Sequence, residues 1–205
     1  MIKTLTLNLA ESLASILGTP EKAEIYAYSL QMVLISVLNT IFLLLMALWL
    51  KILPVLLVFL MVFIPFRTFG GGVHLSTLPR CIIIGALLIL GSAYGADKVY
   101  VQPHHLYLIF IFSLLLALWS TVKWVPASKN LVTNPQIIGM QKRNMLVSIM
   151  VWTGCVGFFI YLGHNKLALA MVVGAVVSSV LISPLGFNLM GVIDEVLNKL
   201  RREVV

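Results

Sequence analysis

Long apolar runs separated by short polar intervals make up most of the chain, with an amphipathic stretch at each end. Near the start, Ile2, Leu5, Leu9, Leu13 and Ile16 recur at helical spacing on one face, while Lys3, Asn8, Glu11, Ser12 and Ser15 fall largely elsewhere. This pattern predicts an amphipathic helix over residues 1–19, suited to lie in a membrane interface. Because the stretch carries Glu11 and no continuous apolar core, it does not read as a cleaved signal peptide. Gly18, Thr19 and Pro20 stop the helix, and Thr19 can cap a new one with Glu21 and Glu24 in its early turns. Six apolar segments follow, over residues 26–50, 52–66, 81–95, 106–122, 145–162 and 166–183. After Pro184, Val192, Ile193, Val196, Leu197 and Leu200 form an apolar stripe opposite Glu195, Asn198, Lys199 and Arg202, which predicts a second interfacial helix over 185–205.

The pattern therefore predicts an all-α integral membrane protein, one membrane domain over residues 1–205 with about six transmembrane helices. Two of these segments, 52–66 and 81–95, are fifteen residues each. At ~1.5 Å per residue each covers roughly 22 Å of a core about 30 Å thick, so they thin the bilayer, or enter and leave by one face as re-entrant segments. Composition agrees: 60% of the 205 residues are hydrophobic and 10% charged, against about 25% charged in soluble domains. The net charge of +7 comes without a zinc-finger spacing, basic helix or aromatic RNA-binding motif, which excludes a nucleic-acid partner. Charge instead sets orientation. With both termini cytoplasmic, only Lys51, Lys98 and Lys166 of the 14 Lys and Arg lie outside, as the positive-inside rule favours. Close helix packing is expected at two small-residue ridges, Ala170, Gly174 and Ser178, and Gly91 with Gly95.

The interpretable chemistry gathers in residues 67–81, RTFGGGVHLSTLPRC, between two apolar segments. Gly70, Gly71 and Gly72 end the preceding helix, since glycine tolerates positive φ and close approach. Ser76 or Thr77 can cap the next helix, Pro79 suits its first turn, and Cys81 opens its apolar run. A thiol is thus placed at a helix N-terminus, where the dipole and an adjacent cation, Arg80, favour the thiolate. His74 lies seven residues earlier. On one continuous helix the two backbones would stand about 10.5 Å apart, but the break at Pro79 lets the side chains meet. A Cys–His pair has the logic of a cysteine peptidase: thiolate attack on a carbonyl, imidazolium protonation of the leaving amine, and backbone N–H donors for the oxyanion. The glycines are candidate donors. A charged, glycine-rich loop beside a bilayer is costly to place, which marks it as functional. Elsewhere, His104 and His105 lack the partners of a metal site and read as solvent-facing, and Cys155, between Gly154 and Gly157, reads as a small packing residue. Both cysteines are expected to stay reduced.

Arg67, Gly72, His74 and Cys81, with their spacings, resemble the signature of the AgrB family, membrane peptidases of quorum sensing, and nearly the whole chain agrees in length and hydropathy. The resemblance implies that His74 and Cys81 are the catalytic pair, with Arg67 and Gly72 needed beside them. It further implies cleavage of the C-terminal part of a short autoinducer precursor through an acyl-enzyme, which promotes thiolactone or lactone cyclisation. The hydrophilic segment 123–144, with Pro126, Lys129, Asn134, Pro135, Lys142 and Arg143, resembles the Pro- and Lys-containing loop of that family. It lacks an acidic residue shortly after the proline, so no catalytic acid is assigned there.

The sequence thus points to a multi-pass membrane cysteine endopeptidase with its catalytic loop, residues 67–80, on the cytoplasmic side. Arg67 orients the loop or binds a substrate carboxylate, and Ser76, Lys129 and Asn130 are candidate substrate or orienting contacts. A third catalytic group is not named, with a backbone carbonyl, Asn130 and Gln136 as candidates. No cofactor or metal is required. The partners are a short amphipathic peptide precursor and membrane lipid, with a homodimer left open. A non-enzymatic peptide exporter or channel, with the glycine loop as its gate, is the rival reading, and a structural subunit of another enzyme is the next.

Overall fold

The computed structural model describes residues 2–73, 75–127 and 134–204. The chain divides between Met46 and Ala47 into two compact units. In the first, α1 (Ile2–Ile16) is followed by a 3-10 turn over Pro20–Lys22 and by α2 (Ala23–Trp49), which runs across the division. Gly18 takes a φ of +66°, which ends α1, and the Thr19 N–H donates to Ala14 O at 2.9 Å. Thr19 stands before the 3-10 turn without a side-chain capping bond, its hydroxyl lying instead 3.2 Å from the Tyr26 hydroxyl. On α1, Thr6, Ala10 and Ala14 are buried, and Leu9, Leu13 and Ile16 are exposed.

The second unit begins with a reversal at Lys51. This residue takes φ +58°, the Ile52 N–H closes on Ala47 O at 2.9 Å, and Pro54 falls in the first turn of the next helix. There follow α3 (Leu53–Gly70), α4 (Leu78–Lys98), α5 (Pro103–Trp124), α6 (Pro135–Tyr161), α7 (Asn165–Ile182) and α8 (Pro184–Val204). Both α3 and α4 outlast their apolar runs. α3 continues through Arg67 and Thr68, and α4 starts at Leu78 and ends at Lys98, giving 18 and 21 residues. Those lengths correspond to about 27 and 31 Å, enough to cross a hydrocarbon core with little thinning.

α7 is the centre of this unit, packed against α3, α4, α5, α6 and α8, and most extensively against α3. It is apolar all round, as an enclosed helix must be, and residues 168–172 are buried without interruption. The ridge of Ala170, Gly174 and Ser178 works as expected, since a Cβ at Gly174 would stand 3.0 Å from Phe59 O on α3. Gly91 and Gly95 differ: nothing lies within 4 Å of a Cβ built at either, so that ridge packs on no described neighbour. Trp152 of α6 donates its indole N–H to Met171 O at 3.2 Å and meets Phe66 and Phe110 edge-on, joining α3, α5 and α6 over α7.

Outward-facing side chains are apolar over the helix lengths, among them Met61, Leu87, Phe112, Leu115, Met150 and Phe158. Among the described residues, six helices are long and apolar enough to cross a membrane: Pro20–Trp49, Leu53–Gly70, Leu78–Lys98, Pro103–Trp124, Pro135–Tyr161 and Asn165–Ile182. The protein is an all-α membrane protein. Helices satisfy their own backbone polar groups, which hydrocarbon cannot do for them.

Candidate active site

α3 ends where its glycines begin. Gly71, at φ +77°, donates its N–H to Arg67 O at 3.0 Å, and Gly72 follows at φ +133°, a conformation open to glycine and rarely to other residues. This turn is stitched to the α5–α6 connection. Ala127 N–H donates to Gly70 O at 2.9 Å, Gly72 N–H donates to Ala127 O at 2.7 Å, and the pair forms a short parallel bridge. Each glycine is required for space as well as for conformation. A Cβ at Gly70 would run into Ile182, one at Gly71 into Ala127 O, and one at Gly72 into the Arg67 guanidinium.

Arg67, in the last turn of α3, folds over this turn. Nη1 donates to Gly71 O at 3.1 Å and Nη2 to Val73 O at 2.6 Å. One planar guanidinium thus holds carbonyls on both sides of Gly72, which a single ammonium could not copy. The guanidinium lies within electrostatic reach of Cys81. Cys81 lies in the first turn of α4, its N–H donating to Thr77 O at 3.1 Å, so the thiol is at a helix N-terminus. Thr77 occupies the N-cap position but makes no side-chain capping bond.

The residue before that position is held from α8. The Asp194 carboxylate accepts the Ser76 N–H on Oδ2 at 3.2 Å and the Ser76 hydroxyl on Oδ1 at 2.9 Å, and Arg80 Nη1 reaches Oδ1 at 2.9 Å. Arg80 also donates to Asn198 Oδ1 at 2.7 Å. The Ser76 hydroxyl and then the Arg80 guanidinium hold the Asp194 carboxyl below the usual carboxylate range. Apolar packing runs beside the polar contacts: Val73, Leu181 and Met190 are buried together, with Leu75, Ile84, Leu88, Phe187 and Ile193 against them. α8 leaves α7 sharply because Gly186 lies against the backbone of Val180 and Leu181, where a Cβ would collide.

Of the residues singled out in the sequence, Arg67, Gly72 and Cys81 come together, and Ser76 turns to Asp194. His74, Lys129 and Asn130 lie outside the described residues. The neighbours of His74 are anchored on both sides, Val73 by Arg67 and Ser76 by Asp194. Gln136 donates its backbone N–H to the Asn134 side chain at the start of α6. Two expectations change. Arg80, read as the cation beside the thiol, is turned to α8, where it pairs with Asp194. Gly71 and Gly72 spend their N–H groups on Arg67 O and Ala127 O, so neither offers a donor for an oxyanion in this state. Asp194 was missed; it is one of three acids on the predicted interfacial helix, with Glu195 and Glu203, and the local pattern does not single it out.

Cys155 is half-buried on α6 and lines an apolar cavity of about 250 Å³ with Met61, Phe66 and Trp152. A cavity of about 390 Å³ opens at the other end of the unit, among Val55, Val99, Tyr100, His164 and Leu167, where Asp97 pairs with Lys98 and Lys166. His104 and His105 are exposed, their ring centroids 3.9 Å apart. No group of three or more His, Cys, Asp or Glu placed to hold a metal occurs among the described residues.

No curated protein and no solved structure matches the chain. The family model described as accessory gene regulator B, AgrB, matches residues 2–182, from α1 to the end of α7 and leaving out α8. The chain therefore belongs to the AgrB family, membrane proteins of autoinducer-peptide processing in quorum sensing.

Proposed function

We propose that this chain is a membrane cysteine endopeptidase that cuts a short autoinducer precursor, with Cys81 as nucleophile and His74 as general base and acid. The observation that carries the reading is the glycine turn clamped by Arg67, with Cys81 in the first turn of the next helix and within electrostatic reach of that guanidinium. His74 takes the thiol proton, and the Cys81 sulfur attacks the scissile carbonyl, whose oxygen becomes the oxyanion. The helix start offers it donors, since N–H groups of a first turn, here Leu78 and Arg80, have no intrahelical partner. Collapse breaks the C–N bond, the imidazolium protonates the leaving amine, and the N-terminal part of the peptide remains as a thioester on Cys81. Attack by a thiol or hydroxyl within that peptide then forms the thiolactone or lactone and returns the Cys81 thiol. Arg67 holds the loop in shape through Gly71 O and Val73 O. Lys129 and Asn130, two and three residues after Ala127 in the sequence, are candidates to contact the peptide.

The cytoplasmic side suits this loop. The end of the second unit that carries it also carries Arg67, Arg80, Lys123, Lys142, Arg143 and Lys199, and the opposite end has Lys51, Lys98 and Lys166. A precursor not yet exported would arrive there, as an amphipathic peptide on the inner leaflet.

The test is cleavage of a synthetic amphipathic precursor with an internal Cys or Ser, in proteoliposomes. Cys81→Ala and His74→Ala are expected to abolish cleavage with insertion intact, and a thioester between peptide and wild-type Cys81 should be trapped in the acid-quenched reaction. Cleavage that survives in Cys81→Ala rules out the nucleophile. Transport of uncut peptide by both variants would favour an exporter.

A further inference from the structure

We propose that Asp194 is a positioning residue: from α8 it binds Ser76, the residue before the N-cap of the helix that carries Cys81, and so holds the start of that helix, and the thiol on it, in place. This rests on the peptidase reading for its consequence in catalysis, and on geometry alone for the placement. α4 begins without a capping side chain of its own, because the Thr77 hydroxyl makes no such bond. The group that stands there is a carboxylate 118 residues away in sequence, bound to the backbone and hydroxyl of Ser76. An anion at a helix N-terminus is favoured by the helix dipole. Yet an anion near a nucleophilic thiol works against the thiolate, so its presence calls for a compensating cation. Arg80 supplies one, at 2.9 Å, and is further held by Asn198 Oδ1 and, at 3.4 Å, by Leu197 O. The pair leaves little net charge at the helix start, and the Arg67 guanidinium lies within electrostatic reach of Cys81.

Both ends of the link are anchored. Met190 is buried, with Phe187 and Ile193 packed on the same cluster as Val73 and Leu75, which flank His74 in the chain. Asp194 thus tethers the segment between the proposed base and nucleophile from the outside. α8 lies beyond the part of the chain that the family model covers.

The placement predicts a sign that electrostatics alone reverses. Removing a carboxylate near a thiol should speed its alkylation, whereas letting the start of α4 drift from Arg67 should slow it. The experiment measures alkylation of Cys81 by iodoacetamide at fixed neutral pH, in full-length protein in liposomes carrying Cys155→Ser. Asp194→Ala is expected to slow alkylation about fivefold or more, Asp194→Glu to recover most of the rate, and adding Arg80→Ala to Asp194→Ala to bring no further loss. In peptide cleavage, Asp194→Ala should lower kcat about tenfold or more with KM within about twofold, since misplacement of about 1 Å can cost 10²-fold. If Asp194→Ala does not accumulate folded, Asp194→Asn carries the same comparisons, because it keeps the size and one acceptor oxygen. Alkylation unchanged or faster in these variants overturns the proposal, as does cleavage that falls through KM alone. The alkylation arm needs no peptide. Slowed alkylation in a protein that, unmutated, cleaves no precursor would retire the peptidase reading and leave the placement standing.

Discussion

Arg67→Lys separates charge from shape at the centre of the site. The guanidinium spans two carbonyls, Gly71 O at 3.1 Å and Val73 O at 2.6 Å, with different nitrogens in one plane. An ammonium on a shorter fork reaches one of them, so at least one charge-assisted bond is lost, a loss of about 1.5–3 kcal/mol. If the loop relaxes in the ground state and must be restored for attack, that energy enters the barrier, and at about 1.36 kcal/mol per decade cleavage slows roughly 10- to 150-fold. Lys preserves the charge, so membrane orientation, which depends on cations as such, should not change. Cleavage of the precursor in proteoliposomes gives kcat and KM, and cysteine labelling of the loops from either side gives orientation. A variant with kcat/KM within about twofold of the parent would refute the reasoning and reduce Arg67 to a topogenic charge.

Gly72→Ala should reproduce the Arg67→Lys defect, because its Cβ would occupy the guanidinium's place and its φ of +133° adds about 1–3 kcal/mol of strain; a double variant much worse than either single one, in the same cleavage assay, would show that the two do not act together. Cys155→Ser should keep most activity, since its side chain faces the apolar cavity beside Trp152 and not the loop; loss of cleavage with normal insertion would contradict this. The Asp194 carboxyl titrates below the ordinary Asp value of about 3.9, so its contribution is present above that pH and is lost only as pH falls through the lower folded-state value. Hydrogen-exchange protection of α8 should therefore be alike at about pH 5 and pH 8 after correction for intrinsic rate, and selective loss at pH 5 would be contrary to it.

What was legible in the chain was whatever local pattern decides. Three glycines ended α3, Pro79 marked the first turn of α4, and the helical spacing of Ala170, Gly174 and Ser178 marked a close-packed face on α7. The lengths of α3 and α4 were under-read because an apolar run stops at the first charge, whereas a helix stops where its backbone is capped or broken. Arg67 continues α3 by using its side chain on the turn beyond, and Leu78 and Pro79 start α4 before the apolar run opens. The equivalence of Gly91 and Gly95 with the α7 ridge failed for a related reason: small residues permit close approach, and a partner must still be there. The direction of Arg80 was not legible either, because adjacency in sequence does not decide direction in a helix. Arg80 follows the nearest carboxylate, and that carboxylate lies on α8.

The loop's construction follows from the surroundings it has to tolerate. Close to a bilayer, each unpaired backbone group costs free energy that water would otherwise relieve, so an irregular segment holding a nucleophile needs partners for its peptide groups. Here Gly70 O is taken by Ala127, the Gly71 N–H by α3, Gly71 O and Val73 O by Arg67, the Gly72 N–H by Ala127 O and the Ser76 N–H by Asp194. Those partners come from α3, the α5–α6 connection and α8, while the end of α7 closes against Gly70 and Gly72. Side chains larger than hydrogen at Gly71 and Gly72 would exclude Ala127 O and the Arg67 guanidinium, two of those partners, and one at Gly70 would run into Ile182. The run of glycine is thus the complement of one arginine, one connecting segment and one helix end.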